Sequence, residues 1–183
     1  MLMSTENNVV YSVKIPEGRE VMIEGDVITV KGALGTNSRK FNDALVSITK
    51  DGDAVTISAL NEKKLRKKAA NTANAIRKEI ENDMKGVGEH FEIMMETVFS
   101  HFPITVEVKD REVNIKNIFG ERFQRIIDIV GSTKVDVKDN VVKVYGISRD
   151  DVSQTAANIR KGCKAHNKDE RIFQDGVYYS IVE

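Results

Sequence analysis

Little in this 183-residue chain supplies the tools of a catalyst or of a disulfide-stapled scaffold. Cys163 is the only cysteine, which excludes an internal disulfide and any multi-cysteine zinc or iron–sulfur site. A lone thiol suits a reducing compartment. His90, His101 and His166 stand far apart, with no spacing that would place two on one helical face, so no metal and no cofactor is expected. Lys plus Arg number 28, as do Asp plus Glu, and no global basic field draws the chain to nucleic acid or to an anionic membrane. Any affinity for a polyanion must come from local patches. No apolar run approaches the ~20 residues of a membrane span, and the opening MLMSTENNVV has no charged segment followed by an apolar one. A soluble, cytoplasmic protein without a membrane partner is expected. At 40% hydrophobic residues the chain can bury one moderate core or two small ones unaided.

Proline is equally scarce, and the two that occur mark a repeat. Pro16 in SVKIPEG and Pro103 in FSHFPIT each follow an apolar residue closing a strand-like run. Downstream, ITVKGALG from Ile28 matches VNIKNIFG from Val113, VTISAL from Val55 matches VKVYGI from Val142, and TANAIRK around Ile76 matches TAANIRK around Ile159. The offsets differ only slightly, so the copies are related by short insertions.

Each copy reads as strands followed by one helix. Val21 and Ile23 alternate up to Gly25-Asp26, a pair suited to a two-residue hairpin, and Ile28 and Val30 alternate beyond it. Val46 and Ile48 lead into Asp51-Gly52, read as a type I′ turn, and Val55 and Ile57 lead out. Asp139-Asn140 takes that place in the second copy. Asn61 is the expected cap of the first helix, and Ser148 with Asp151 three residues on that of the second. Leu65, Ala69, Ala73, Ile76 and Ile80 form one apolar stripe; Val152, Ala156, Ile159 and Cys163 form its counterpart. Gly86 and Gly88 end the first helix, and Phe91, Ile93, Met95, Thr97 and Phe99 alternate as a long strand. The predicted class is α+β: two tandem copies of a small antiparallel β-sheet packed against one α-helix, over residues 1–86 and 87–183.

Chemistry-bearing patterns are few. Cys163 aligns with core-facing Ile80 and reads as a small buried apolar residue. Paired carboxylates such as Asp150-Asp151 fall on helix surfaces or first turns, where solvation or the helix dipole accounts for them. Gly32-Ala33-Leu34-Gly35 has the outline of a GxxG RNA-backbone clamp but follows a strand instead of joining two helices, so it reads as a meander loop beside Lys31, Arg39 and Lys40. Two basic stretches remain. Lys63, Lys64, Lys67 and Lys68 open the first helix, where cations oppose the dipole; they form either a solvated face or a secondary RNA or protein contact. The second runs from Arg160 through Lys161, Lys164, His166 and Lys168 to Arg171, continuing into a tail with Asn167, Gln174, Gly176 and Tyr178-Tyr179. These residue types bridge phosphates, approach backbones closely and stack on bases.

The segments SQTAANIRK and DERIFQDGVYY, with IPEGREVMIEGDVITVKGALG, SHFPITVEV and IKNIFGE, resemble across nearly the whole chain the ribosomal protein family numbered six in bacterial and archaeal large subunits and nine in eukaryotic ones. The tail is similar to the archaeal and eukaryotic branch. That resemblance implies a non-enzymatic structural constituent of the large ribosomal subunit. It implies ribosomal RNA held mainly by the second copy, neighbouring ribosomal proteins as partners and no small-molecule substrate. It also implies a position near the stalk base and the sarcin-ricin loop, where translational GTPases dock. Carried onto this chain, it points to Ser153, Gln154 and Asn158, to Lys161 through Lys168 (with Lys164, His166 and Asn167), to Arg171 and Gln174, and to Arg122 and Arg125 after Gly120. The residues alone leave open a second reading, a duplicated protein–protein interaction module with no RNA role.

Overall fold

The computed structural model describes residues 9–41, 44–59, 66–100, 102–166, 168–169 and 171–180. Asn61, Lys63, Lys64, Leu65, His101 and Asn167 lie outside the described residues. The chain divides into two compact units, Met1–His90 and Phe91–Glu183. The division falls slightly beyond residue 86, because Val87 is fully buried in the first unit and its carbonyl accepts the amide of Leu34 at 3.0 Å.

The first unit contains β1 (Val10–Lys14), β2 (Glu20–Glu24), β3 (Val27–Gly32), β4 (Gly35–Lys40), β5 (Val46–Asp51), β6 (Ala54–Ala59) and α1 (Arg66–Gly86). The second repeats that order as β7 (Phe91–Val98), β8 (Thr105–Lys109), β9 (Glu112–Lys116), β10 (Arg125–Asp128), β11 (Lys134–Lys138), β12 (Val141–Gly146) and α2 (Arg149–Gly162). It then adds β13 (Gly176–Tyr179). Within each copy the strands split into two antiparallel sheets. One has the order β1-β6-β5, matched by β13-β7-β12-β11; the other has the order β2-β3-β4, matched by β8-β9-β10.

Alternation builds these sheets. In β6, Val55, Ile57 and Ala59 are buried; in β12, Val142, Val144 and Gly146 are. The helical stripes cover that side: Ala69, Ala73, Ile76 and Ile80 are buried on α1, and Val152, Ala156 and Ile159 on α2, with Cys163 just beyond. Each fully buried Val or Ile contributes about 1.5–3 kcal/mol relative to exposure. Gly32 allows β3 to approach the end of α1, since a Cβ there would stand 2.6 Å from Val87 Cγ2.

Four two-residue hairpin turns share one device. Their first residues, Gly25, Gly52, Asp110 and Asp139, all have positive φ, between 52 and 59°. The second of these turns corrects the expected Asp51-Gly52: Asp51 pairs with Ala54, so the turn residues are Gly52-Asp53. Register explains the shift, because Val46 must face Ala59 and Ile48 must face Ile57 for both to be buried. Ser148 caps α2 as expected, its hydroxyl accepting the Asp151 amide at 3.3 Å.

The tail is more ordered than a basic extension. β13 pairs antiparallel with β7 through Val177↔Thr97 and Tyr178↔Glu96, and Val177 is buried in the second core. No helix among the described residues is long and apolar enough to cross a membrane.

Candidate nucleic-acid interface

The end of α2 is held in place by Arg125. Its Nη1 donates to the carbonyls of Gly162 and Lys164, both at 2.8 Å, while Nε and Nη2 grip the Glu121 carboxylate at 2.9 and 2.6 Å. Four of the five guanidinium N–H groups are therefore spent inside the protein. A cation at the carbonyl end of a helix also meets the negative end of its dipole. The Glu121 carboxyl is held below its usual range first by the Arg125 hydrogen bond, against opposing desolvation, and further by the charges of Arg125, Lys168 and His166. Arg125 also lies 5.7 Å from the ring of Phe119, in the 3-10 turn Ile118–Gly120, and Phe119 meets Phe173 edge-on at 6.0 Å. The loop after β9 and the loop after α2 are thus one assembly.

From this base α2 presents its solvent face as a ridge. Gln154, Asn158 and Lys161 succeed one another at helical spacing, and Gln154 Nε2 donates to Asn158 Oδ1 at 2.8 Å. Lys161 is exposed, as are Ser153, Arg160 and Lys164 along the neighbouring stripe. Lys161 and Lys164 stand between two grooves. Towards β10, a recess of about 410 Å³ is walled by Ile126, Asp128, Asn158 and His166. Towards β13, a groove of about 500 Å³ is walled by Arg160, Phe173, Asp175, Tyr178 and Tyr179. Arg160 reaches across the second groove, its guanidinium carbon 5.8 and 5.6 Å from the Tyr178 and Tyr179 ring centroids.

The remaining expected residues divide by position. Lys168 stands 4.8 Å over the Phe173 ring, and the Asp169 carboxylate accepts the Arg171 amide at 3.0 Å, which shapes the turn into the tail. Gln174 Nε2 donates to the Arg171 carbonyl at 3.2 Å. Arg122 does not join the ridge; it lines a separate recess with Lys116, Asn117 and Phe123. Lys67 and Lys68 are exposed at the start of α1, in the other unit. Arg39 is committed internally: with Asn37 it holds the buried Asp83 of α1, the Arg39 Nε–Asp83 Oδ2 distance being 3.1 Å.

Sequence reasoning missed the groove walls Ile126 and Phe173 and the latching role of Arg125. Only the Arg–aromatic interleaving of the two loops hinted at them. Burial pushes the Cys163 thiol up to about 11, against a smaller opposing hydrogen bond from the Val177 backbone, so it stays protonated and unreactive. The arrangement offers cations, side-chain amides and aromatic faces on a firm support, which can neutralise phosphates and stack on bases without transferring a group.

The chain is 39% identical over 169 residues to "Large ribosomal subunit protein uL6" of Methanocella arvoryzae, covering 92% of this chain and 94% of that one. It is 42% identical over 166 residues to the protein of the same name from Methanobrevibacter smithii, covering 91% and 92%. With that of Thermoplasma acidophilum it shares 39% over 168 residues, again covering 91% and 92%. The family described as Ribosomal protein L6 matches twice, over residues 15–90 and 102–176, once in each unit. By sequence, by duplication and by length, the chain belongs to the Ribosomal protein L6 family.

Proposed function

We propose that this chain is a structural constituent of the large ribosomal subunit and that it binds large-subunit ribosomal RNA chiefly through its second unit. The family is structural and non-enzymatic. The observation that carries the RNA assignment is the ridge formed by Lys161 and Lys164 between two grooves, fixed from beneath by Arg125. Phosphates would lie along the ridge, with Arg160, His166 and Lys168 to either side. Recognition would follow the shape of an RNA junction more than base identity. Ser153, Gln154, Asn158, Arg171 and Gln174 supply further donors and acceptors around the ridge. Arg125 supports that surface from within, and Arg122 reaches RNA only where the RNA extends to the neighbouring recess. The resemblance of the tail and second helix to the family supports a place near the stalk base and sarcin-ricin loop, with neighbouring ribosomal proteins as partners.

Binding to purified large-subunit RNA at increasing salt tests the proposal. Affinity is expected to fall linearly in log–log form, with a slope of about −0.7 to −0.9 per phosphate neutralised. Absence of binding, or affinity indifferent to salt, would sink it. A chemical footprint on the same RNA checks the location: protection away from the stalk base and sarcin-ricin loop would remove that part. Co-sedimentation separates RNA binding from a protein-only role, since a pure protein-interaction module would stay out of large subunits.

A further inference from the structure

The groove between α2 and β13 has more in it than a phosphate track requires. Its lining brings the aromatic rings of Phe173, Tyr178 and Tyr179 together with the cations Arg160, Lys161 and Lys164, and its volume of about 500 Å³ falls within the ~300–1,000 Å³ typical of sites that enclose a small organic group. Two adjacent tyrosines are partly exposed there, Tyr178 at 37% and Tyr179 at 41%. Tyr178 is fixed in direction: its hydroxyl donates to the Gln174 carbonyl at 2.9 Å. Its ring also lies so close over Gly176 that a Cβ there would stand 3.3 Å from Tyr178 Cε2. A ring held this way loses little freedom when something stacks on it. Arg160 bridges both rings and forms no ion pair among the described residues, so its charge is available at the mouth. The one carboxylate among the described residues of the wall, Asp175, is buried and accepts the Ser100 amide at 3.0 Å, which directs one of its oxygens to the backbone.

We infer that this groove takes one unpaired nucleotide, its base stacked against Tyr178, Tyr179 and the Arg160 plane and its phosphate drawn to Lys161 and Lys164. The inference rests on the RNA reading above and deepens it: the ridge gives affinity without sequence, and the groove selects a place where the RNA can extrude a base. An apolar peptide side chain would fill the aromatic part but would leave the cations at the rim unused.

The full chain and purified large-subunit ribosomal RNA test this, with affinity measured across a salt series and base reactivity probed chemically. Replacing Tyr178→Leu and Tyr179→Leu together is expected to weaken binding about 10- to 100-fold with the salt slope unchanged, because stacking releases no counterions. One unpaired base protected in the native complex should become reactive again. Tyr178→Phe with Tyr179→Phe keeps the faces, and with the first ring still packed over Gly176 it should keep the protection and most of the affinity. Arg160→Gln, on the helix surface, leaves the strand untouched and should expose the same base. A folded Leu pair, or Arg160→Gln, that binds like the native chain with unchanged protection overturns the inference. If the native chain itself binds no RNA, the broader RNA reading falls first and takes this one with it.

Discussion

At the scale of single residues, the two copies solve the same local problem with different side chains. Gly25 and Gly52 open two of the two-residue turns of the first unit, while Asp110 and Asp139 open the corresponding turns of the second at nearly the same positive φ. Asp tolerates this region through its short polar side chain, but a β-branched residue does not. Asp139→Gly should therefore leave stability nearly unchanged, whereas Asp139→Val should cost about 1–2 kcal/mol in denaturant unfolding. Equal stability of the two variants would contradict the φ argument. Cys163 gives a pH-dependent prediction. Its folded value of about 11 exceeds the ordinary 9.0, so the folded state holds the proton more tightly than the unfolded chain. Its contribution is intact below about pH 9 and is lost as pH rises through 11, amounting to about 2–3 kcal/mol. Between pH 9 and 11 the native chain should lose stability that Cys163→Val does not lose, as read by unfolding at each pH. The burial of Cys163 was legible in advance because it falls in register with Ile80. The Gly52-Asp53 turn was not, since the Asp-Gly pair alone says nothing of which residues must face each other across β5 and β6.

At the scale of elements, strands with apolar alternation were legible and strands without it were not. β4 reads GTNSRK and buries no residue fully, so nothing in its composition marks a strand. It exists because it pairs along β3 and because Asn37 and Arg39 reach Asp83 on α1. The second copy fastens its helix from the same strand by other means: Arg125, at the start of β10, engages the Gly162 carbonyl that ends α2 and the Lys164 carbonyl just beyond it. Side-chain hydrogen bonds between distant elements leave no periodic trace in sequence, which is why the hold of Arg125 on the end of α2 is not legible there. Arg125→Ala should remove both helix-end bonds and the Glu121 pair together, costing about 1.5–3 kcal/mol by the usual worth of charged hydrogen bonds. RNA affinity should fall with it, without the drop in salt slope that loss of a phosphate contact would bring. Arg125→Ala with native stability but a shallower salt slope would return Arg125 to the RNA surface. The tail of the second copy follows the β4 pattern in that GVYY becomes a strand only because β7 offers it an edge. The corresponding edge of the first unit is less inviting, for Pro16 follows close on the end of β1 and brings no N–H to a further ladder.

For the molecule as a whole, neutral net charge is compatible with RNA binding because the charge is arranged unevenly. Replacing Lys161, Lys164, Lys168 and Arg171 with Ala should weaken RNA binding more than replacing Lys63, Lys64, Lys67 and Lys68. Only the first set should flatten the salt dependence, by about 0.7–0.9 for each phosphate contact removed. Equal losses from both sets would mean that both units share the RNA. The order of the strands also sets a timetable. The main sheet of the first unit is closed by β1, β5 and β6, all of which are available once residue 59 has been made. The sheet of the second unit needs β13 against β7, so Phe91 through Val98 must wait, one edge open, until Tyr179 has emerged from the machine that synthesises it. A chain interrupted before that point could carry a finished first unit and the whole of α2, yet it would have no groove to offer an RNA. The groove is thus among the last features of the second unit to form.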